Sequence, residues 1–251
     1  MFNFFVDETC YNDGTYFISG ADFNHIKNVL RMDIGDRFLV SCNGKSDLCE
    51  LSSFDTNTAV AVIVEENCRN AELSVKIHLF QGLPKSDKLE LIIQKVTELG
   101  ASDITPVEMS RSIVKIEDKK KKSKLLRWQA IAESAAKQSK RNIIPTVHEI
   151  TDFKSAVKYA QKLDLIIVPY ENEDGMISTA EALSLINSNM SIGIFIGPEG
   201  GFEDSEISLI TEAGAKTVSL GKRILRTETA AITSVGMCML CTEIKTNGDI
   251  K

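Results

Sequence analysis

The sequence has 251 residues, 43% of them apolar and 25% charged, with a net charge of −6. This globular balance excludes a disordered, collagen-like or minimal disulfide-scaffold chain, and the length allows one to two domains. The longest uncharged, apolar-leaning stretch, Thr229 to Thr242, spans 14 residues, short of the roughly 18 needed to cross a bilayer, so no membrane partner is expected.

The opening Met1 to Glu8 has no positive segment and meets Asp7 and Glu8 at once, which reads as a cytoplasmic chain without a secretory signal. The first 70 or so residues are β-rich. Phe4 to Val6, Tyr16 to Ile18, Arg37 to Ser41, Leu48 to Ser52 and Ala59 to Val64 predict short strands, separated by turn signals at Asn12-Asp13-Gly14, Asn43-Gly44 and Asp55-Thr56-Asn57. One helix, about Asp22 to Arg31, interrupts them. The pattern predicts a small β-barrel module over residues 1–71.

From Leu73 the rhythm becomes alternating strand and helix, the pattern of a parallel α/β sheet over 72–251. A strand is predicted at Leu73 to Leu79, then a helix capped by Asp87 and Glu90 and closed by Gly100, with Leu89, Ile92, Ile93, Val96 and Leu99 on one stripe. Ile104 to Val107 reads as a strand. A long helix follows, about Lys119 to Ser139, packing through Leu125, Leu126, Trp128, Ile131, Ala132 and Ala135. Behind Thr151 comes an amphipathic helix through Phe153, Ala156, Val157, Ala160 and Leu163. Strands are expected at Leu165 to Pro169, Ile192 to Ile196 and Thr217 to Leu220. Helices fall at Ser178 to Asn187, with a Ser178/Glu181 capping box, at Glu203 to Ala213, closed by Gly214, and at about Glu228 to Lys245.

Six cysteines in a chain without a signal peptide read as buried thiols, and Cys238 and Cys241 lack the second pair that a zinc set needs, so no metal is expected. Charge is distributed unevenly. Arg111 to Arg141 holds eleven Lys and Arg against three acids, a net +8 that leaves −14 on the remainder. One concentrated basic segment on an acidic chain is the electrostatic footprint of localised phosphate binding; the alternative is a solvated face.

Strand Ile192 to Ile196 runs into Gly197-Pro198-Glu199-Gly200-Gly201-Phe202. A glycine-rich turn at the carboxyl end of a parallel strand is where open α/β sheets bind ligands, although a tight turn alone also needs glycine. It has neither the Lys-Ser/Thr of a P-loop nor Gly-x-Gly-x-x-Gly spacing, which argues against nucleoside triphosphate and dinucleotide readings. A second polar segment, Gly221 to Ala230, follows the next strand.

Gly197 to Phe202 and Leu220-Gly-Lys-Arg-Ile-Leu-Arg-Thr-Glu-Thr-Ala230 closely resemble the signature of the RsmE family, SPOUT methyltransferases that modify N3 of a uridine in small-subunit ribosomal RNA. The resemblance covers nearly the whole chain. It includes His25 to Arg31, Gly35-Asp36, Lys85, Lys95 to Gly100, Arg111-Ser112, Arg127-Trp128 and Glu133 to Arg141. It implies an N-terminal PUA-like barrel, an α/β domain with a C-terminal trefoil knot, S-adenosyl-L-methionine as cofactor and a homodimer. The implied partner is 16S ribosomal RNA, free or in the assembled small subunit, and not DNA. The family usually opens with an arginine where Asn3 stands here.

On this reading the converging strand ends hold the donor: Pro169 and Tyr170; Ile196, Gly197, Glu199, Gly200 and Gly201; Leu220, Gly221, Ile224 and Leu225. Lys119, Lys120, Lys121, Lys122, Lys124 and Arg127, with Arg31 and Arg111 by resemblance, are candidate RNA contacts. Uridine N3 becomes a nucleophile only on deprotonation. Arg226 is the candidate for stabilising the anion, and Glu228 or Glu199 for taking the proton. The alternative is that Arg226 and Glu228 pair with each other or cap the last helix. Rival functions are a ribose 2′-O-methyltransferase of the same fold and a PUA-type RNA-binding protein without activity.

Overall fold

The β-rich runs of the first 65 residues pair into one sheet in the computed structural model, which describes residues 1–171 and 175–247. The strands are β1 (Asn3–Phe5), β2 (Tyr11–Asn12), β3 (Thr15–Ser19), β4 (Arg37–Cys42), β5 (Lys45–Phe54) and β6 (Thr58–Glu65), in the order β1-β4-β5-β6-β3-β2. All neighbours are antiparallel except β1 and β4. The turn signals work as read: Asp13-Gly14 and Asn43-Gly44 adopt the paired left-handed conformation of tight hairpins. Two irregularities in the β5/β6 pairing bend the sheet around Phe4, Tyr16, Ile18, Phe38, Val40 and Leu51. The expected helix at Asp22 to Arg31 is different. It starts at Gly20 as α1 (Gly20–Asn24), continues as one π-helical turn over His25–Val29, and has ended before Arg31, whose φ is +52°.

This sheet belongs to a unit of Met1–Glu72 with Ala136–Ile144. Asn142 binds the second segment to the first: its amide donates to Arg69 O at 2.7 Å and Gly44 O at 3.3 Å, and its carbonyl accepts from Ala71 N at 3.1 Å. Asn3 is buried in the same unit, donating to Arg141 O and accepting from Ser41 Oγ, both at 2.9 Å. Asn3 therefore has a structural place in this chain, joining β1 to β4 and to the segment at Arg141.

The second unit, Leu73–Ala135 with Pro145–Lys251, alternates strand and helix: β7 (Lys76–Gly82), α2 (Lys88–Glu98), β8 (Ala101–Glu108), α3 (Asp118–Ser139), β9 (Thr146–Val147), β10 (Thr151–Asp152), α4 (Phe153–Ala160), β11 (Leu165–Pro169), α5 (Ile177–Ser184), β12 (Ser191–Ile196), α6 (Asp204–Glu212), β13 (Lys216–Val218) and α7 (Thr227–Asn247). Its strands run parallel in the order β10-β8-β7-β12-β11-β13, with β9 also on β8. Apolar side chains cover both faces. Ile77, Leu79, Ile92, Val96, Trp128 and Val235 belong to one core, and Phe80, Phe153, Val157, Phe195, Phe202 and Ile210 to the other. No described helix is long and apolar enough to cross a membrane.

Several local expectations are corrected. The strand after Leu73 starts only at Lys76 and extends to Gly82, while Leu73 packs onto the core. Asp87 is the N-cap of α2, but its side chain makes no capping bond and Glu90 is drawn to Arg127. The helix expected behind Thr151 is capped by Asp152, which accepts from Ser155 N at 3.0 Å. The Ser178/Glu181 box does not form: α5 begins behind Met176, and Ser178 Oγ is buried without a hydrogen-bond partner among the described residues. Leu126 is 65% exposed and leaves the packing side of α3. The strand at Thr217 shifts back to Lys216–Val218. Gly100 (φ +95°) and Gly214 (φ +96°) do close their helices, as their left-handed conformation requires.

Candidate active site

Because the strands of the second sheet are parallel, their carboxyl ends share one edge. A cavity of about 790 Å³ opens where β11, β12 and β13 end. Pro169 and Tyr170 border it from β11, Ile196, Gly197, Pro198 and Glu199 from β12, and Ser219, Leu220, Gly221, Ile224, Leu225 and Arg226 from the segment after β13. Gly201 N donates to Pro198 O at 3.0 Å to close the glycine turn, and Gly201 itself has φ +69°. A Cβ on Gly197 would meet the Gly201 carbonyl carbon at 3.1 Å, so this turn is drawn together by missing side chains.

Thr227 fixes the floor. Its hydroxyl donates to Gly197 O at 2.6 Å and accepts from Gln81 Nε2 at 2.9 Å, tying the start of α7 to β12 and β7. After β13 at the sheet edge, the chain thus returns across the ends of β11 and β12. Gly82 supports the same turn from β7: a Cβ there would lie 2.7 Å from the Pro198 nitrogen.

Gly200 stands apart from the other expected donor contacts. It does not border the cavity; a Cβ on it would meet Arg111 Cβ at 2.9 Å, and Arg111 Nη1 donates to Gly200 O at 3.1 Å. Arg111 therefore braces the outside of the glycine turn.

Charged side chains crowd the rim. Lys88 Nζ lies 3.0 Å from Glu199 Oε1 at the rim and 3.3 Å from the buried Oε2 of Glu228, which does not itself border the cavity. Glu199 also accepts from Lys85 N at 3.1 and 3.3 Å. Burial works against the charge of Glu199, but the hydrogen bonds from Lys88 and the backbone outweigh it and its pKa falls below the ordinary carboxylate value. The bond to Glu199, joined by that to Glu228, raises Lys88. Arg226 is exposed and forms no ion pair among the described residues, so it is not the partner of Glu228. Ile224, 90% exposed, is the most open apolar residue of the rim.

The candidate RNA contacts fall into different settings. On α3, Lys119 and Lys120 approach Glu117 at 3.0 and 3.5 Å, Lys121 pairs with Asp118 at 2.9 Å, and Arg127 with Glu90 at 2.8 Å. Exposed pairs of this kind are worth little and exchange readily for phosphate. Lys122 and Lys124 have no ion partner among the described residues. Arg31 is exposed on the first unit.

Away from the cavity, His78, Asp103 and His148 bring donor atoms within 4.8 Å of one another, a grouping that counting cysteines could not anticipate. His78 Nε2 meets Thr105 Oγ1 at 2.7 Å and His148 Nε2 meets Asp103 Oδ1 at 2.8 Å. The two imidazoles stack 15° from parallel, so their in-plane lone pairs run alongside rather than converge. Burial pushes His78 down to about 4, leaving it neutral around pH 7.

Sequence reasoning missed Lys88, Gln81, Gly82 and Thr227. Only Thr227 carried a signal, as a Thr directly before a helix; the others act through contacts made by strand order.

The chain matches the RNA methyltransferase domain family over residues 71–239 and the RNA methyltransferase PUA domain family over residues 18–64. It is 41% identical over 234 residues to ribosomal RNA small subunit methyltransferase E of Bacillus subtilis, covering 92% of this chain and 91% of that protein. The same-named protein of Mesomycoplasma hyopneumoniae is 31% identical, covering 95% and 99%. A crystal structure of ribosomal RNA small subunit methyltransferase E from Neisseria gonorrhoeae, bound to S-adenosyl methionine, superposes with a TM-score of 0.76 at 29% identity, covering 94% of this chain and 96% of that one. A Legionella pneumophila protein in complex with the same cofactor gives 0.80 at 29%, covering 95% and 97%. With its PUA-like first sheet and parallel α/β second sheet, the chain belongs to the RsmE family of RNA methyltransferases.

Proposed function

We propose that the protein transfers a methyl group from S-adenosyl-L-methionine to N3 of a uridine in 16S ribosomal RNA, acting as a cytoplasmic homodimer. In this reading residues 1–71 are a PUA-like RNA-binding domain and 72–251 a SPOUT methyltransferase domain. The observation that carries it is the cavity at the shared carboxyl edge of β11, β12 and β13, in a chain whose relatives are named ribosomal RNA small subunit methyltransferases.

The residues present fit the donor. About 790 Å³ is within the range of cavities that enclose ligands of this size, and much of the wall is backbone and apolar side chain, with Gly197 and Gly201 letting a ligand approach the chain. Pro169, Tyr170, Ile196, Leu220, Gly221, Ile224 and Leu225 would hold it. When bound, the donor supplies a methyl group activated by its sulfonium, with a neutral thioether as leaving group. Uridine N3 gives its proton to Glu228 or Glu199 and forms the new N–C bond as the C–S bond breaks, its electron pair going to sulfur. Arg226, exposed at the rim, supplies the positive charge that stabilises the N3 anion. The trefoil knot is part of this proposal, supported by the return of the chain from β13 across β11 and β12 to Thr227. The homodimer is supported by α7, whose outer face leaves Leu240 57% and Ile244 69% exposed.

If the lysines of α3 contact phosphate, RNA affinity falls steeply with salt, and each lost contact flattens the log–log slope by roughly 0.7 to 0.9. Replacing Lys119, Lys120, Lys121 and Lys122 together by Gln is expected to flatten it by about 3 in a filter-binding titration. An unchanged slope assigns the run to a solvated face. The reading itself is tested by titrating S-adenosyl-L-methionine calorimetrically, then following a labelled methyl group into naked 16S RNA and into assembled small subunits. Saturable binding with label in one of these is expected; absence of either contradicts it.

A further inference from the structure

A lysine is poorly placed at the first position of a helix, where the macrodipole repels a cation. Lys88 occupies that position in α2, while Glu228 occupies the favourable acidic position in the first turn of α7. The ammonium group reaches out of α2 to two carboxylates from separate elements, Glu199 of the glycine turn at 3.0 Å and Glu228 of α7 at 3.3 Å. One further feature sets Glu228 apart: its Oε2 is buried and, among the described residues, depends on the Lys88 ammonium at 3.3 Å for compensation.

We infer that Lys88 is a positioning residue for proton removal from uridine N3: it holds Glu199, at the cavity rim, and Glu228, whose Oε2 is buried, as anions, so that Glu199 stands ready to accept that proton and Glu228 to share it. The inference rests on the reading proposed above. Without the ammonium, two carboxylates that converge on one point share a proton, because like charges this close resist ionising together and a desolvated carboxylate oxygen takes up hydrogen. Besides Lys88 and Glu199, the charged groups bordering the cavity are Glu171, Lys222, Arg223 and Arg226, none of which forms an ion pair with Glu199 or with the half-buried Glu228 among the described residues. The backbone N–H of Lys85 helps only Glu199. Among the described residues no second cation pairs with Glu228.

The sign follows. A base must be deprotonated to act, so raising the carboxylate pKa removes activity from the acid side and leaves the alkaline side intact. The experiment is turnover against pH at saturating donor and RNA for the wild type, Lys88→Met and Lys88→Arg, with donor affinity and melting temperature measured alongside. The expected result is an acidic limb moved upward by about one to two pH units in Lys88→Met, a plateau above pH 8 within about three-fold of wild type, and a limb restored by Lys88→Arg. Lys88→Gln serves if the methionine variant does not fold. A limb that stays in place, a loss uniform across pH, a loss that tracks melting temperature, or a wild type without an acidic limb overturns the inference. A wild type that binds no donor or transfers no methyl group overturns instead the reading on which it rests.

Discussion

Arg226→Ala is expected to lower turnover at saturating donor and RNA by about two orders of magnitude, the cost of removing one preorganised positive group from a developing anion. Melting temperature and donor affinity are expected to stay at the wild-type level. The side chain is exposed at the cavity rim and joins no ion pair among the described residues, so its removal breaks no structural contact of that kind. The backbone role of the residue, accepting from Ala230 N at 2.8 Å, survives truncation. Lysine at this position would keep the charge but not the planar fork, and partial recovery by Arg226→Lys would separate charge from geometry. A rate within a few-fold of wild type, or a loss matched by lost stability, removes Arg226 from the chemistry.

Gly82→Val is expected to weaken donor binding by roughly 5- to 150-fold, the affinity equivalent of the 1 to 3 kcal/mol that overpacking costs. The glycine is the last residue of β7, and a Cβ on it would stand 2.7 Å from both the nitrogen and Cδ of Pro198. Pro198 is inside the turn that borders the cavity, so relief of the clash displaces Gly197 and Glu199 with it. Gly236→Ala is the matched control: its added Cβ would touch only Leu99, at an ordinary 3.7 Å, in the interior of α7. Alanine also favours a helix over glycine there by up to about 1 kcal/mol. Calorimetry should therefore separate the two glycines, with affinity lost in the first and kept in the second. Equal affinity in both variants contradicts the support that β7 gives the turn.

The alternation of strand and helix was legible in the sequence because fully apolar runs such as Leu165 to Pro169 suit strands buried on both faces, and left-handed glycines stop helices at Gly100 and Gly214. The glycine turn was legible for a similar reason, since Gly197 and Gly201 stand where backbone meets backbone or φ turns positive. Caps were less legible. A Ser or Asp three residues before a Glu predicts a box only if no other partner competes, and Glu90 is taken by Arg127 from α3. Gly200 was read as a ligand contact, but the side chain pressing on it is Arg111, brought there by the loop after β8. Lys88 was invisible for the same reason: its neighbours in the chain say nothing of Glu199 and Glu228, which meet it only when β7 and β12 pair and α7 packs on α2. Long-range electrostatics of this kind are set by topology, which local spacing does not encode.

The central claim is that this chain methylates N3 of a uridine in small-subunit ribosomal RNA. Its most direct test is a nucleoside map, by mass spectrometry, of that RNA from cells lacking the protein, compared with the same cells given back the wild type or Arg226→Ala. The account predicts that 3-methyluridine disappears from 16S RNA, returns with the wild type and stays low with the variant. A map in which 3-methyluridine is unchanged, or in which a ribose 2′-O-methyl group is lost in its place, would contradict it.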